Sequence, residues 1–176
     1  MAEGDTGEAV DSGIATTETE PELGTLAGIV TDGIIGAVGG FAGTALMTVV
    51  FLVASTLGGF DLSSFATTAE LVGAQAVFGA DLLVPIGYVI FLGGGMTTWP
   101  LLFASMGEYL PGRKYAHKGL FYGFVLWTGF VLAFYAGYTG TALAIYLVAT
   151  LVGHVGYGFA LGAIFDYLGG REETLV

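Results

Sequence analysis

The sequence predicts an all-α fold, an integral membrane four-helix bundle with a disordered acidic N-terminal tail. Three observations predict it. The chain is strongly apolar, with 55% hydrophobic residues, 11% charged residues and a mean hydropathy of +0.81. Its formal net charge of -11 is concentrated at one end. Three long stretches contain no Asp, Glu, Lys or Arg. So few charges cannot cover a soluble globule of 176 residues, whereas a lipid-facing surface needs none.

The tail comes first. Residues 1–24 carry Glu3, Asp5, Glu8, Asp11, Glu18, Glu20 and Glu22, and no lysine or arginine. The segment has no aromatic residue, so it buries too little apolar surface to offset the entropy of ordering it. It lacks the basic start and apolar run of a signal peptide. Its composition reads as salt-adapted, because at molar salt the Debye length falls to about 3 Å and acidic self-repulsion is screened.

The transmembrane domain is expected over residues 25–170, followed by a cytoplasmic tail at 171–176. The uncharged stretches run from Gly33 to Leu57, from Leu82 to Gly107 and from Gly119 to Phe165. A bilayer core needs about 20 apolar helical residues, so the third stretch holds two spans. Gly137-Tyr138-Thr139-Gly140 is the natural turn between them. The expected spans are 30–57, 82–107, 118–137 and 141–168. Arg113, Lys114 and Lys118 lie between spans two and three, and Arg171 follows span four. With positive charges inside, both termini are cytoplasmic and the protein is a multi-pass protein of the cell membrane. The loop from Gly58 to Asp81 is then external. Ser63 or Ser64 is positioned to cap a short interfacial helix reaching Phe78, with Phe65, Ala69, Val72 and Ala76 on one face.

Glycine supplies 31 residues. In lipid, small residues let helix backbones approach closely. Span one has Asp32, Gly36, Gly40, Thr44 and Thr48 at intervals of four, with Gly39 and Gly43 as a second pair. Span three has Gly119 and Gly123. In span two Pro100 removes a helical N–H, so a kink is expected there, with Thr97 and Thr98 available to satisfy the backbone. Span four carries Thr150, His154, Gly158, Gly162 and Asp166 along one stripe.

His154 stands twelve residues from Asp166, roughly 18 Å into the helix, near the bilayer centre. An ionisable residue at that depth is a functional candidate by default. Proton relay, haem or metal ligation and a hydrogen bond to a quinone are the chemical roles, and an interhelical hydrogen bond is the structural one. Two histidines of one chain on one haem are disfavoured, because His117 belongs to the surface near Arg113, which leaves a His154 pair across a dimer or a single axial His154. Asp32 and Asp166 are expected to cap or anchor their helices, or to pass protons toward His154. Nucleic-acid binding is excluded by four basic residues against fifteen acidic ones. The lack of cysteine excludes disulfides and thiolate metal sites.

Three segments resemble one family as an ordered set: Gly39-Gly40-Phe41-Ala42-Gly43-Thr44-Ala45-Leu46-Met47-Thr48, Trp99-Pro100-Leu101-Leu102-Phe103 with Glu108-Tyr109-Leu110-Pro111, and His154-Val155-Gly156-Tyr157-Gly158-Phe159-Ala160-Leu161-Gly162. The chain resembles an uncharacterised family of small integral membrane proteins common in halophilic archaea. The resemblance covers about residues 28–168 and implies the four-span fold. It supplies no activity, and implies at most an accessory role beside respiratory oxidases.

The expected function is therefore structural or accessory, without enzymatic activity, with a homo-oligomer or a respiratory complex as partner and no cofactor. The alternatives are an electron-transfer subunit that uses His154 for haem or quinone, and a small transporter built on the kink and the His154–Asp166 row.

Overall fold

The computed structural model describes the backbone of residues 19–169 and the side chains from residue 27. The acidic tail up to residue 18 and the segment 170–176, with Arg171, lie outside the described residues. The chain divides into two units at Thr31, and the packing described for the second begins at Asp32.

Among the described residues all regular structure is helical. Helix α1 spans Thr19–Thr56, α2 Phe65–Leu71, α3 Leu83–Met96, α4 Thr98–Met106, α5 Tyr115–Ala133 and α6 Gly140–Gly169. Three segments are long and apolar enough to cross a membrane: Ala27–Thr56, Ala80–Tyr109 and Gly140–Gly169. The remaining expected span, 118–137, corresponds to α5, which has 19 residues and does not reach that standard. Its first turn, Tyr115-Ala116-His117-Lys118, is polar and shortens the apolar run. It also stops at Ala133, and the connection to α6 carries glycines with positive φ, Gly137 at 78° and Gly140 at 56°.

Helix α1 starts at Thr19, inside the segment read as tail. Pro21 falls in its first turn, where the missing N–H would have had no helical partner. One consequence corrects the reading of Asp32. It lies in the helix interior on an exposed face, so it caps nothing.

Two small-residue faces of α1 meet different neighbours. Gly36 and Gly40 face the α3–α4 junction, where a methyl on Gly36 would lie 2.9 Å from Pro100 Cβ and one on Gly40 would overlap the Gly95 carbonyl. Gly39 and Gly43 face α6, where a methyl on Gly43 would lie 2.7 Å from the Tyr157 ring. Helices α5 and α6 are antiparallel and pressed together by backbone. Methyl groups on Gly119, Gly158, Gly123 and Gly162 would overlap the carbonyls of Gly158, Gly119, His154 and Tyr115 respectively. Farther along, Trp127 Nε1 donates to Thr150 Oγ1 at 3.0 Å and Tyr146 Oη donates to the Val131 carbonyl at 3.0 Å. The contacts step by four residues on both helices, as antiparallel neighbours with one shared stripe must.

The expected span 82–107 is two helices. The break is at Thr97 (φ -123°, ψ -70°), and Pro100 sits in the first turn of α4, where no helical partner is lost. A straight helix would drive the proline ring into the Met96 carbonyl, so the chain breaks three residues before the proline, at Thr97. Thr97 Oγ1 donates back to the Gly93 carbonyl at 2.8 Å.

The 58–81 segment is folded onto α3. Asp61, and neither serine, supplies the cap: its carboxylate accepts from Ser63 N–H at 2.8 Å. Helix α2 ends at Leu71, because Gly73 adopts a left-handed conformation (φ 76°). The expected apolar face is therefore split, with Phe65 and Ala69 buried and Val72 and Ala76 exposed. The Phe65 carbonyl lies so close to Gly87 of α3 that a methyl there would overlap it.

Candidate functional site

The break in the second helical segment, the α2 overhang and the large residues of α5 and α6 leave a cavity of about 480 Å³. Thr44 and Met47 of α1, Thr68 and Leu71 of α2, Phe91 and Gly95 of α3, Trp99 of α4, Phe130 of α5, and His154 and Tyr157 of α6 contribute to its wall. No Asp, Glu, Lys or Arg lines it.

His154 is buried, at 5% exposure. Its Nδ1 lies 2.8 Å from the Thr150 carbonyl of its own helix. A carbonyl only accepts, so Nδ1 carries the proton and, in the neutral ring, Nε2 carries a lone pair. The ring packs against Phe130 at 4.5 Å and Phe51 at 6.2 Å between centroids. Thr150, buried beneath it, donates to the Tyr146 carbonyl at 2.7 Å and accepts from Trp127. His117 is exposed on the first turn of α5 and does not line the cavity.

Asp166 belongs to a different place and task. Its two carboxylate oxygens accept from the backbone N–H groups of Tyr115 and Ala116, each at 2.9 Å. These are the first amides of α5, which have no helical acceptor, and a carboxylate there also meets the positive end of the helix dipole. The carboxylate of α6 thus closes the start of α5. Gly158 and Gly162, between His154 and Asp166 on the same stripe, are occupied by the α5 backbone, so no polar side chain links the two. Gly36, Gly40 and Thr44 pack on the α3–α4 junction, and Thr44 Oγ1 donates to the Gly40 carbonyl at 2.8 Å.

Two tyrosines escaped the sequence reading. Tyr157 Oη donates to the Gly95 carbonyl at 2.8 Å, satisfying backbone beside the helix break, and Tyr122 Oη donates to the Trp99 carbonyl at 2.8 Å. Tyr157 follows His154 by three residues and so shares its face, a spacing that would have nominated it. Thr68 was also missed. Its hydroxyl is the one buried side-chain nitrogen or oxygen among the described residues without a hydrogen-bond partner.

The fold and site define a class: a protein all-helical among the described residues, with three segments there long and apolar enough to cross a membrane. Within that class the chain belongs to the family of unknown function DUF6789, whose model matches residues 30–176. No curated protein and no solved structure matches the chain.

Proposed function

We propose that the chain is a four-span protein of the cell membrane with both termini in the cytoplasm, acting as a structural or accessory subunit of a larger membrane assembly. The α5–α6 register carries the reading. Contacts at Gly119–Gly158, Gly123–His154, Trp127–Thr150 and Val131–Tyr146 run side by side along almost all of α5. If α6 crosses the bilayer, α5 crosses beside it, despite its polar first turn. The orientation rests on Arg113, Lys114 and Lys118 between α4 and α5. The accessory role is supported by exposed apolar residues such as Val49, Val53, Val148 and Val152, which face lipid or a partner helix.

The chain lacks cysteine, so single introduced cysteines test the topology cleanly. With four spans, an impermeant reagent labels Thr139→Cys and Ser64→Cys from outside the cell and labels His117→Cys only after lysis. With three spans, Thr139→Cys and His117→Cys are labelled from the same side. Native co-purification with a larger membrane complex tests the accessory role, and a protein that migrates alone at its monomer size from native membranes defeats it.

A second reading is favoured by His154 on the cavity wall: the chain holds a small molecule there, as a subunit of an electron-transfer assembly would. The absorption spectrum of protein from native membranes separates the forms of this reading. A Soret band lost in His154→Ala supports haem, and a colourless protein removes haem.

A further inference from the structure

Several polar side-chain atoms of the lining residues have no hydrogen-bond partner among the described residues, Thr98 Oγ1 and Trp99 Nε1 of exposed residues among them, and two belong to residues that are not exposed. One is Thr68 Oγ1. The other is His154 Nε2, because the only hydrogen bond of that ring uses Nδ1. The hydroxyls of Thr44, Thr128 and Tyr157 are engaged with the backbone carbonyls of Gly40, Val125 and Gly95. Buried polar groups in native proteins are almost always satisfied, so an exception on a cavity wall points to what the cavity holds.

The chemistry of the wall limits the occupant. A charged molecule would enter without a counter-charge. A haem would find no cation in the lining for its propionates. A bare metal ion would find one ligand, since no three His, Asp or Glu side chains are gathered among the described residues. The fixed tautomer makes Nε2 an acceptor, so the occupant must bring a donor. The rest of the lining is mostly apolar and includes the rings of Phe91, Trp99 and Phe130. Cavities of about 300–1,000 Å³ are the usual size for small-molecule sites, and this one falls within that range.

We infer that the cavity binds a neutral, lipophilic molecule with a phenolic hydroxyl, whose O–H donates to His154 Nε2 and whose ring packs among Phe91, Trp99 and Phe130. A second ring oxygen, as in a hydroquinone, is the candidate partner of the unsatisfied Thr68 Oγ1. This deepens the reading of His154 as a ligand-holding residue and rests on it.

The test uses the full chain in lipid nanodiscs, with empty nanodiscs as background. The probes are a radiolabelled short-chain alkyl hydroquinone, the matching 4-alkylphenol and the hydroquinone dimethyl ether, which has the same ring and chain but no donor. The hydroquinone binds about tenfold tighter than the ether, the size of one hydrogen bond to a buried acceptor. His154→Phe removes that preference and leaves ether binding in place. A hydroquinone that outbinds the alkylphenol, with the difference lost in Thr68→Val, assigns a two-oxygen ligand; equal binding assigns a simple phenol. Gly129 lines the cavity, and a Cβ there meets nothing within 4 Å, so a Gly129→Phe side chain starts into open space and abolishes binding of every probe. That variant carries the test if His154→Phe does not fold. Equal binding of hydroquinone and ether to the unaltered protein overturns the hydroxyl assignment alone. Probe levels no higher than in empty nanodiscs overturn both the assignment and the ligand-holding reading.

Discussion

Helix α6 meets its neighbours in two contrasting ways. Along Gly158 and Gly162 it touches α5 backbone to backbone, with no room for a methyl group. Around His154 and Tyr157 it borders an uncharged cavity with polar atoms left over. The same stripe passes from one regime to the other within a single turn. The difference shows that glycine decides where backbones meet, and that the side chains of His154 and Tyr157 border the space left beside those contacts. Close helix contact in this chain is a property of missing side chains, whereas space is a property of those present.

Substitutions on either side of that divide sharpen the contrast. The largest effect belongs to the closed side. Gly158→Leu sets a side chain against the Gly119 carbonyl, an obstacle that cannot rotate away, and should cost about 3 kcal/mol or more. Unfolding in detergent followed by circular dichroism measures this, and an unchanged midpoint would mean that the seam is loose. Tyr157→Phe comes next. It strips the Gly95 carbonyl of its donor beside the helix break and should cost about 1–3 kcal/mol. Asp166→Ala leaves two α5 amides without an acceptor, for a loss of about 1–2 kcal/mol, with Asp166→Asn retaining part of it. Amide exchange at Tyr115 and Ala116 reports the same loss locally. The smallest effect belongs to the open side. Gly129→Leu grows into empty space and should change stability by no more than about 0.5 kcal/mol. If it destabilises as much as Gly158→Leu, the cavity is not open and the contrast fails.

Much of this arrangement was legible in composition and spacing. Uncharged stretches locate the long helices, because lipid-facing helices write their length directly into sequence. The four-residue row from Thr150 to Asp166 marks a true stripe of α6, and the glycine pairs mark close contacts, since both depend only on helical period. The start of α1 was not legible, because acidic residues and a proline suit a helix beginning as well as a tail. Nor was the α2 fold, where short-range capping by Asp61 and the Gly73 turn override a weak amphipathic pattern. At the site, the sequence singles out His154 but not the cavity. A cavity is made by what six separate helices fail to fill, and no local pattern records that. The role of Asp166 was equally hidden, because its partners lie about fifty residues upstream.

That separation has a consequence for how the protein is made. Synthesis runs from the N-terminus, so α5 leaves the ribosome long before the carboxylate that completes its first turn. If α5 crosses a bilayer as proposed, the amides of Tyr115 and Ala116 are served by water or lipid headgroups until Asp166 arrives, which would hold that end of the helix at the bilayer surface. The arrival of α6 then replaces solvent with a fixed anion and latches the two helices into a hairpin. On the four-span reading the clasp would make residues 115–166 one unit of insertion, which a translocation arrest placed just before Asp166 would trap unlatched.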